Sequence, residues 1–167
     1  MPIVWEAVGA SILPNIGGWA ATPFTMRAVR SWYKTMKKPS WTPPDRVFGP
    51  VWTSLYTGMG FASYLVWRDG GGFGGEGQTA LALYGAQLAL NWAWSPIFFG
   101  FGNIGGGLID IVLLYGTAGA AAIAMGKINP TAGYLMVPYM LWLSLATALN
   151  YSIWKNNPSF KKDTRKD

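Results

Sequence analysis

Twenty of the 167 residues are charged, and they are gathered so that five long runs carry none: 7–26, 47–67, 77–109, 111–126 and 128–154. A bilayer core takes about 20 predominantly apolar residues per helix. Four runs reach that length, and 111–126 becomes a full span once Asp110 and the residues before it are included. Helices are therefore expected at about 5–26, 46–67, 79–101, 106–126 and 132–154, separated by Lys38-Pro39, Pro43-Pro44, Gly70 to Gly77, Gly102 to Gly107 and Asn129-Pro130. The fold class that follows is all-α: an integral membrane bundle of five transmembrane helices over residues 1–157, with 158–167 a basic tail. A soluble helical bundle would need a polar face on each helix, and these runs have almost no charge to supply one.

Lysine and arginine set the orientation, because cytoplasmic loops carry their excess. With five spans, the N-terminus and the second and fourth loops share a side and hold only Arg68 and Lys127. The other side holds eleven, from Arg27, Arg30, Lys34, Lys37, Lys38 and Arg46 to Lys155, Lys161, Lys162, Arg165 and Lys166. The first loop and the C-terminus are expected in the cytosol, where the tail can also meet anionic lipid. The net charge of +6 is thus a topology signal, and no nucleic-acid partner is expected. The opening Met1-Pro-Ile-Val-Trp-Glu6 lacks the basic start of a secretory signal.

Chemistry is bounded by what is missing. Without Cys there are no disulfides or thiolate metal sites, and without His the commonest acid–base group and haem ligand is absent. No metal and no cofactor is expected. Polar groups inside spans are expensive and face the bundle interior. Gln87, Asn91 and Ser95 follow at i, i+4 and i+8, with Trp94 beside them; Pro138, Trp142, Ala146 and Asn150 form a second stripe, and Asp110 stands near the start of the fourth helix. Each can simply hold helices together; as a set with large aromatics they suit a polar-dotted apolar cavity. Small residues four apart, Ala82 with Ala86 and Gly85 with Ala89 and Ala93, mark close helix contacts, either within the subunit or in a homodimer through the third helix. Trp5, Trp67 and Trp154 suit interfacial anchors, and Leu149, Tyr151 and Lys155 fit a weak pattern proposed for cholesterol contact.

More specific are Trp32-Tyr33, Lys38-Pro-Ser-Trp-Thr-Pro-Pro44, Pro50-Val-Trp52-Thr-Ser-Leu-Tyr56, Gln87-Leu-Ala-Leu-Asn-Trp-Ala-Trp94, Pro96-Ile-Phe-Phe-Gly100, Pro138-Tyr139, Trp142, Ala146-Thr147 and Leu149-Asn150-Tyr151. In this order, over residues 5–157, the chain resembles the translocator protein family, also called the peripheral benzodiazepine receptor or tryptophan-rich sensory protein family. The resemblance implies a bundle that binds cholesterol or another sterol, porphyrins such as protoporphyrin IX, and benzodiazepine-site drugs in a cavity between helices capped by the first loop. By matched position it implies a lining that includes Thr22, Phe48, Gly49, Val51, Trp52, Leu113, Trp142 and Ala146, and a sterol element of Leu149, Tyr151 and Lys155.

The chain departs from the animal members at Ser95-Pro96, which looks bacterial, at Gly106, where mammalian members carry a drug-contacting Trp, and at Ser152, where they carry Tyr. The Gly106 change bears against tight drug binding; Tyr151 leaves the sterol pattern intact. The resemblance implies the mitochondrial outer membrane in a eukaryote and a bacterial membrane otherwise.

Three functions are compatible with these residues. A receptor or carrier for lipophilic ligands would use apolar area, aromatic stacking worth about 0.5–1.5 kcal/mol per pair, and Arg27, Arg30 or Arg46 for porphyrin propionates. An enzyme, the alternative implied by the resemblance, would degrade porphyrin in light with Trp52 and Trp142 as the oxidised residues. A scaffold without a ligand would leave the interior polar stripes unexplained. No ATP-binding motif or evident inverted repeat supports coupled transport.

Overall fold

The computed structural model describes residues 2–160. Among these, five α-helices make up the molecule: α1 Trp5–Arg30, α2 Asp45–Asp69, α3 Gln78–Ser95, α4 Ile104–Ile128 and α5 Pro130–Asn156. The tail from residue 161 onward lies outside the described residues. The helices follow the charge-free runs, and all but α3 extend past them. α1 continues through Arg27 and Arg30, because cations in a last turn complement the helix dipole and their long stems reach away from the apolar span. α2 starts at Asp45, the favourable sign at an N-terminus, and carries Arg68 in its last turn, where it offsets the terminal Asp69. Asn129 caps α5 by accepting from the Ala132 N–H at 3.1 Å, with Pro130 at the first helical position. A π-helical turn, Pro96–Gly100, prolongs α3.

The most extensive helix pairings are α4 with α5, α3 with α4 and α1 with α2, followed by α2 with α5. Around the bundle the order is therefore α1, α2, α5, α4, α3, closed by contacts of α1 with α3 and the π turn. The partition of side chains is that of a membrane bundle. Ile12, Leu13, Ile16, Phe61, Val112, Ile123 and Leu141 point outward, while Asn15, Gln87, Asn91, Asp110 and Asn150 are buried. α4 and α5 are long and apolar enough to cross a bilayer on composition alone. The other three are diluted by Trp, Tyr, Gly and Pro, which score low on hydropathy although their surfaces suit lipid and helix contact.

One close approach shapes the bundle. Pro14 has no N–H to offer the carbonyl of Ala10. That carbonyl lies against Gly60 of α2, where a Cβ would collide with it and with Ser11. One turn on, Asn15 donates to Thr57 Oγ1 at 3.2 Å. At the same end of the molecule, Asp69 accepts from Asn129 at 2.5 Å and pairs with Arg68 at 2.5 Å, which ties the end of α2 to the α4–α5 turn.

Candidate functional site

Between the helices, toward the first loop, is a cavity of about 510 Å³, inside the roughly 300–1,000 Å³ usual for small-molecule pockets. Its floor is a polar ladder. Tyr56 donates to Asn91 Oδ1 at 2.5 Å, Asn91 donates to Tyr139 Oη at 2.7 Å, and Tyr139 donates to Gln87 Oε1 at 2.7 Å. The i, i+4 spacing of Gln87 and Asn91 aims both at α5, and the ladder joins α2, α3 and α5. A second bond does the same near the loop: Trp94 Nε1 donates to Asn150 Oδ1 at 3.0 Å, and Asn150 Nδ2 donates to the Ile104 carbonyl at 3.1 Å. The interior polar residues thus bind helices together, and Asn91 and Asn150 also face the cavity.

The walls are aromatic. Trp142 stands edge-on to Phe48, with ring centroids 5.5 Å apart, and to Trp52 at 6.4 Å. Trp52 also lies 5.2 Å from Tyr56. The Trp142 Nε1 atom is buried and has no hydrogen-bond partner among the described residues. It leaves a donor at the wall of an otherwise apolar space.

The first loop reaches the cavity at Tyr33, which lines it. Tyr33 and Met36 are buried in a cluster with Phe98, Ile104, Leu149 and Ile153, against which Trp32, Phe48 and Phe99 pack. Phe98 stacks on Trp94 at 4.7 Å, and Phe160 stacks on Trp32 at 5.0 Å. Asn157, at the end of α5, holds the loop through both backbone groups of Lys37: it accepts from the N–H at 2.9 Å and donates to the carbonyl at 3.0 Å. Lys38 donates to the Tyr33 carbonyl at 2.9 Å and sits 4.1 Å above the Tyr33 ring. Burial, with the Asp45 carboxylate adding to it, pushes the Tyr33 phenol up to about 12, so it remains a neutral hydroxyl.

Of the eight expected lining residues, Thr22, Phe48, Gly49, Trp52, Trp142 and Ala146 face the cavity. Val51 and Leu113 do not. Leu113 is exposed on the outer side of α4, and Ile111 and Leu114 take the inward positions, because a one-residue step turns a helix by about 100°. Arg46 reaches the lining, whereas Arg27 and Arg30 are exposed and outside it. The sterol triplet does not share a surface: Leu149 is buried and lines the cavity, while Tyr151 and Lys155 are exposed. Gly106 lies outside the lining, in the first turn of α4, where its N–H donates to Asn103 Oδ1 at 2.8 Å. Ala82, Gly85, Ala86 and Ala89 are all exposed, so this stripe is not spent on packing within the subunit; Gly85 faces open space.

Asn15, Trp19, Tyr33, Phe98 and Phe99 line the cavity without having been foreseen as lining. Phe98 and Phe99 carry a faint signal, since they follow the Gln87, Asn91, Ser95 stripe by one turn. The α1 residues carry none, because that helix has no sidedness in its hydrophobic pattern.

The TspO/MBR family profile matches residues 10–155. The chain is 43% identical over 159 residues to the translocator protein of Homo sapiens, covering 95% of this chain and 94% of that one. It is 43% identical over 151 residues to the translocator protein of Sus scrofa, covering 90% and 89%. To the tryptophan-rich protein TspO of Chlorobaculum tepidum it is 40% identical over 145 residues, covering 84% and 89%.

Proposed function

We propose, since the chain belongs to the TspO/MBR family, that this membrane protein is a receptor or carrier for flat lipophilic ligands, which it holds in the chamber under the first loop and helps to move across the membrane. The ligand classes are porphyrins such as protoporphyrin IX, cholesterol or another sterol, and benzodiazepine-site drugs. The observation that carries this reading is the chamber itself: about 510 Å³ walled by Phe48, Trp52, Trp142 and Ala146, with the unpartnered Trp142 Nε1 and the Asn91 amide as its polar points. Apolar burial supplies the affinity, and the few polar groups fix orientation. The absence of His and Cys from the sequence favours metal-free porphyrin over axially ligated haem.

A binding panel on purified protein tests this, with cholesterol, protoporphyrin IX and a benzodiazepine-site drug. Saturable one-to-one quenching of tryptophan fluorescence by protoporphyrin IX is expected. No saturable binding of any of the three would end the proposal. The edge-on pair of Trp52 and Trp142 supports a second reading, a light-dependent porphyrin-degrading enzyme. Many porphyrins consumed per protein under light would favour it over simple binding.

The chain's first loop and C-terminus lie in the cytosol, in the mitochondrial outer membrane of a eukaryote or in a bacterial membrane. The support is the charge asymmetry. Protease added from the cytosolic side is expected to cut after Lys161 or Lys162 and to leave an N-terminal tag intact; the reverse pattern rejects the orientation. Two copies pair through the exposed small-residue face of α3, and Ala86→Trp is expected to leave only monomer by light scattering in detergent.

A further inference from the structure

The chamber is lined from all five helices, yet every exposed residue of its lining comes from α1 or α2. On α1 these are Trp19, 60% exposed, with Thr22 and Met26, 42% exposed. On α2 they are Gly49 and Thr53, with Asp45 and Arg46 at the helix start. The lining residues from α3, the π turn, α4 and α5 are buried or half-buried. α1 and α2 are nevertheless in close contact at their other ends, where Gly60 meets the Ala10 carbonyl and Asn15 bonds Thr57. The antiparallel register set by that bond brings Trp19 level with Thr53, and Met26 level with Arg46. The pair is therefore in contact as far as Gly18, which lies against the Tyr56 ring, and toward the first loop the lining residues of both helices are exposed, a cleft in the side of the bundle. Over the mouth, by contrast, the first loop is fastened by Asn157 and packed aromatics.

We propose that the cleft between α1 and α2 is a lateral portal, through which flat amphiphiles dissolved in the bilayer pass between lipid and chamber with an anionic end toward Arg46. A lipophile that partitions into the membrane never needs to cross the aqueous face, so a wall opening into the acyl chains is a shorter path than the fastened loop. Trp19 and Met26 give the cleft an aromatic and a deformable edge, suited to a sliding planar ring. Asp45, beside Arg46, disfavours a second anionic group at the same mouth. The portal rests on the binding reading above.

The chain has no native Cys, so paired cysteines can be bridged without interference. One pair, Met26→Cys with Arg46→Cys, is closed across the cleft by a short cleavable bis-thiosulfonate. A second pair, Lys37→Cys with Asn157→Cys, locks the loop to α5 in the same way. Protoporphyrin IX is delivered from phosphatidylcholine vesicles to protein in nanodiscs, and quenching is followed by stopped flow. Bridging the cleft is expected to slow association and dissociation at least tenfold and by similar factors, with recovery when the bridge is reduced; locking the loop leaves both rates within twofold. An unchanged rate across the bridged cleft overturns the portal, as does slowing only in the loop-locked pair, or equal slowing in both. If reduction does not restore the rates, Trp19→Cys with Thr53→Cys replaces the first pair under the same criteria. Failure of the unbridged protein to bind protoporphyrin IX would strike the binding reading itself, a result distinct from binding with unaltered rates.

Discussion

The side chain of Asn91 stands between two tyrosines, taking a hydrogen bond from Tyr56 and giving one to Tyr139 at 2.7 Å, so that one amide on α3 fixes both α2 and α5. Removing the Tyr139 hydroxyl strands the Asn91 Nδ2 and Gln87 Oε1 atoms that it pairs. Leaving a buried polar group unpaired costs about 1–3 kcal/mol, although hydrogen bonds in membrane bundles average about 0.6 kcal/mol. Tyr139→Phe is expected to destabilise by about 1–2 kcal/mol in an unfolding titration, with Asn91→Ala adding less on that background than alone. Full additivity of the two would disprove a shared network.

Ala146 lies one turn beyond Trp142 on the chamber face of α5. Ala146→Thr adds a methyl and a hydroxyl to that wall, and overpacking a filled site costs about 1–3 kcal/mol. The hydroxyl can bond back to the Trp142 carbonyl, as Thr147 does to Leu143 at 2.7 Å, so the fold survives. Affinity for protoporphyrin IX is expected to fall roughly tenfold with little change in thermal stability. Trp142→Phe removes much of the quenching and only part of the affinity. Wild-type titrations for Ala146→Thr in both detergent and lipid would take this face of α5 out of the site.

Tyr151 and Lys155 face outward, away from the chamber, with Tyr151 tilted on Trp154 at 6.1 Å. Tyr151→Ser or Lys155→Ala should therefore weaken sterol binding in reconstituted vesicles while sparing protoporphyrin IX. Parallel loss of both ligands would point to a single shared site, and no loss of sterol would reduce the pattern to coincidence.

Gly60 and Gly58 give a matched pair on α2. A Cβ at Gly60 meets the backbone of Ala10 and Ser11, which cannot move aside; one at Gly58 meets nothing within 4 Å. Gly60→Ala is expected to destabilise by about 1–3 kcal/mol. Gly58→Ala should be neutral or stabilising by up to about 1 kcal/mol, the helix propensity gain. Equal effects in a denaturant titration would show that α1 and α2 are not held together at Gly60.

Charge placement alone fixed the number of spans, because a bilayer tolerates few ionised groups in its core; four of the five gaps between charges are long enough to cross it, and the fifth becomes so once Asp110 and the residues before it are included. The i, i+4 spacing of Gln87 with Asn91 and of Trp142 with Ala146 likewise fixed which faces of α3 and α5 turn inward. Helix ends were legible only to the last uncharged residue, since snorkelling arginines such as Arg30 belong to the helix but not to the apolar run. Tertiary structure decided the rest. The order of helices around the bundle places Tyr139 of α5 against Asn91 of α3, and no local pattern encodes that partner. It also decided that Ile111 and Leu114, rather than Leu113, reach the chamber, and that α1 meets α2 at Gly60 while Trp19 stays exposed at the chamber lining. In lipid the outer and inner faces of a helix are almost equally apolar, so rotation and separation are set by packing contacts between chain segments far apart in sequence.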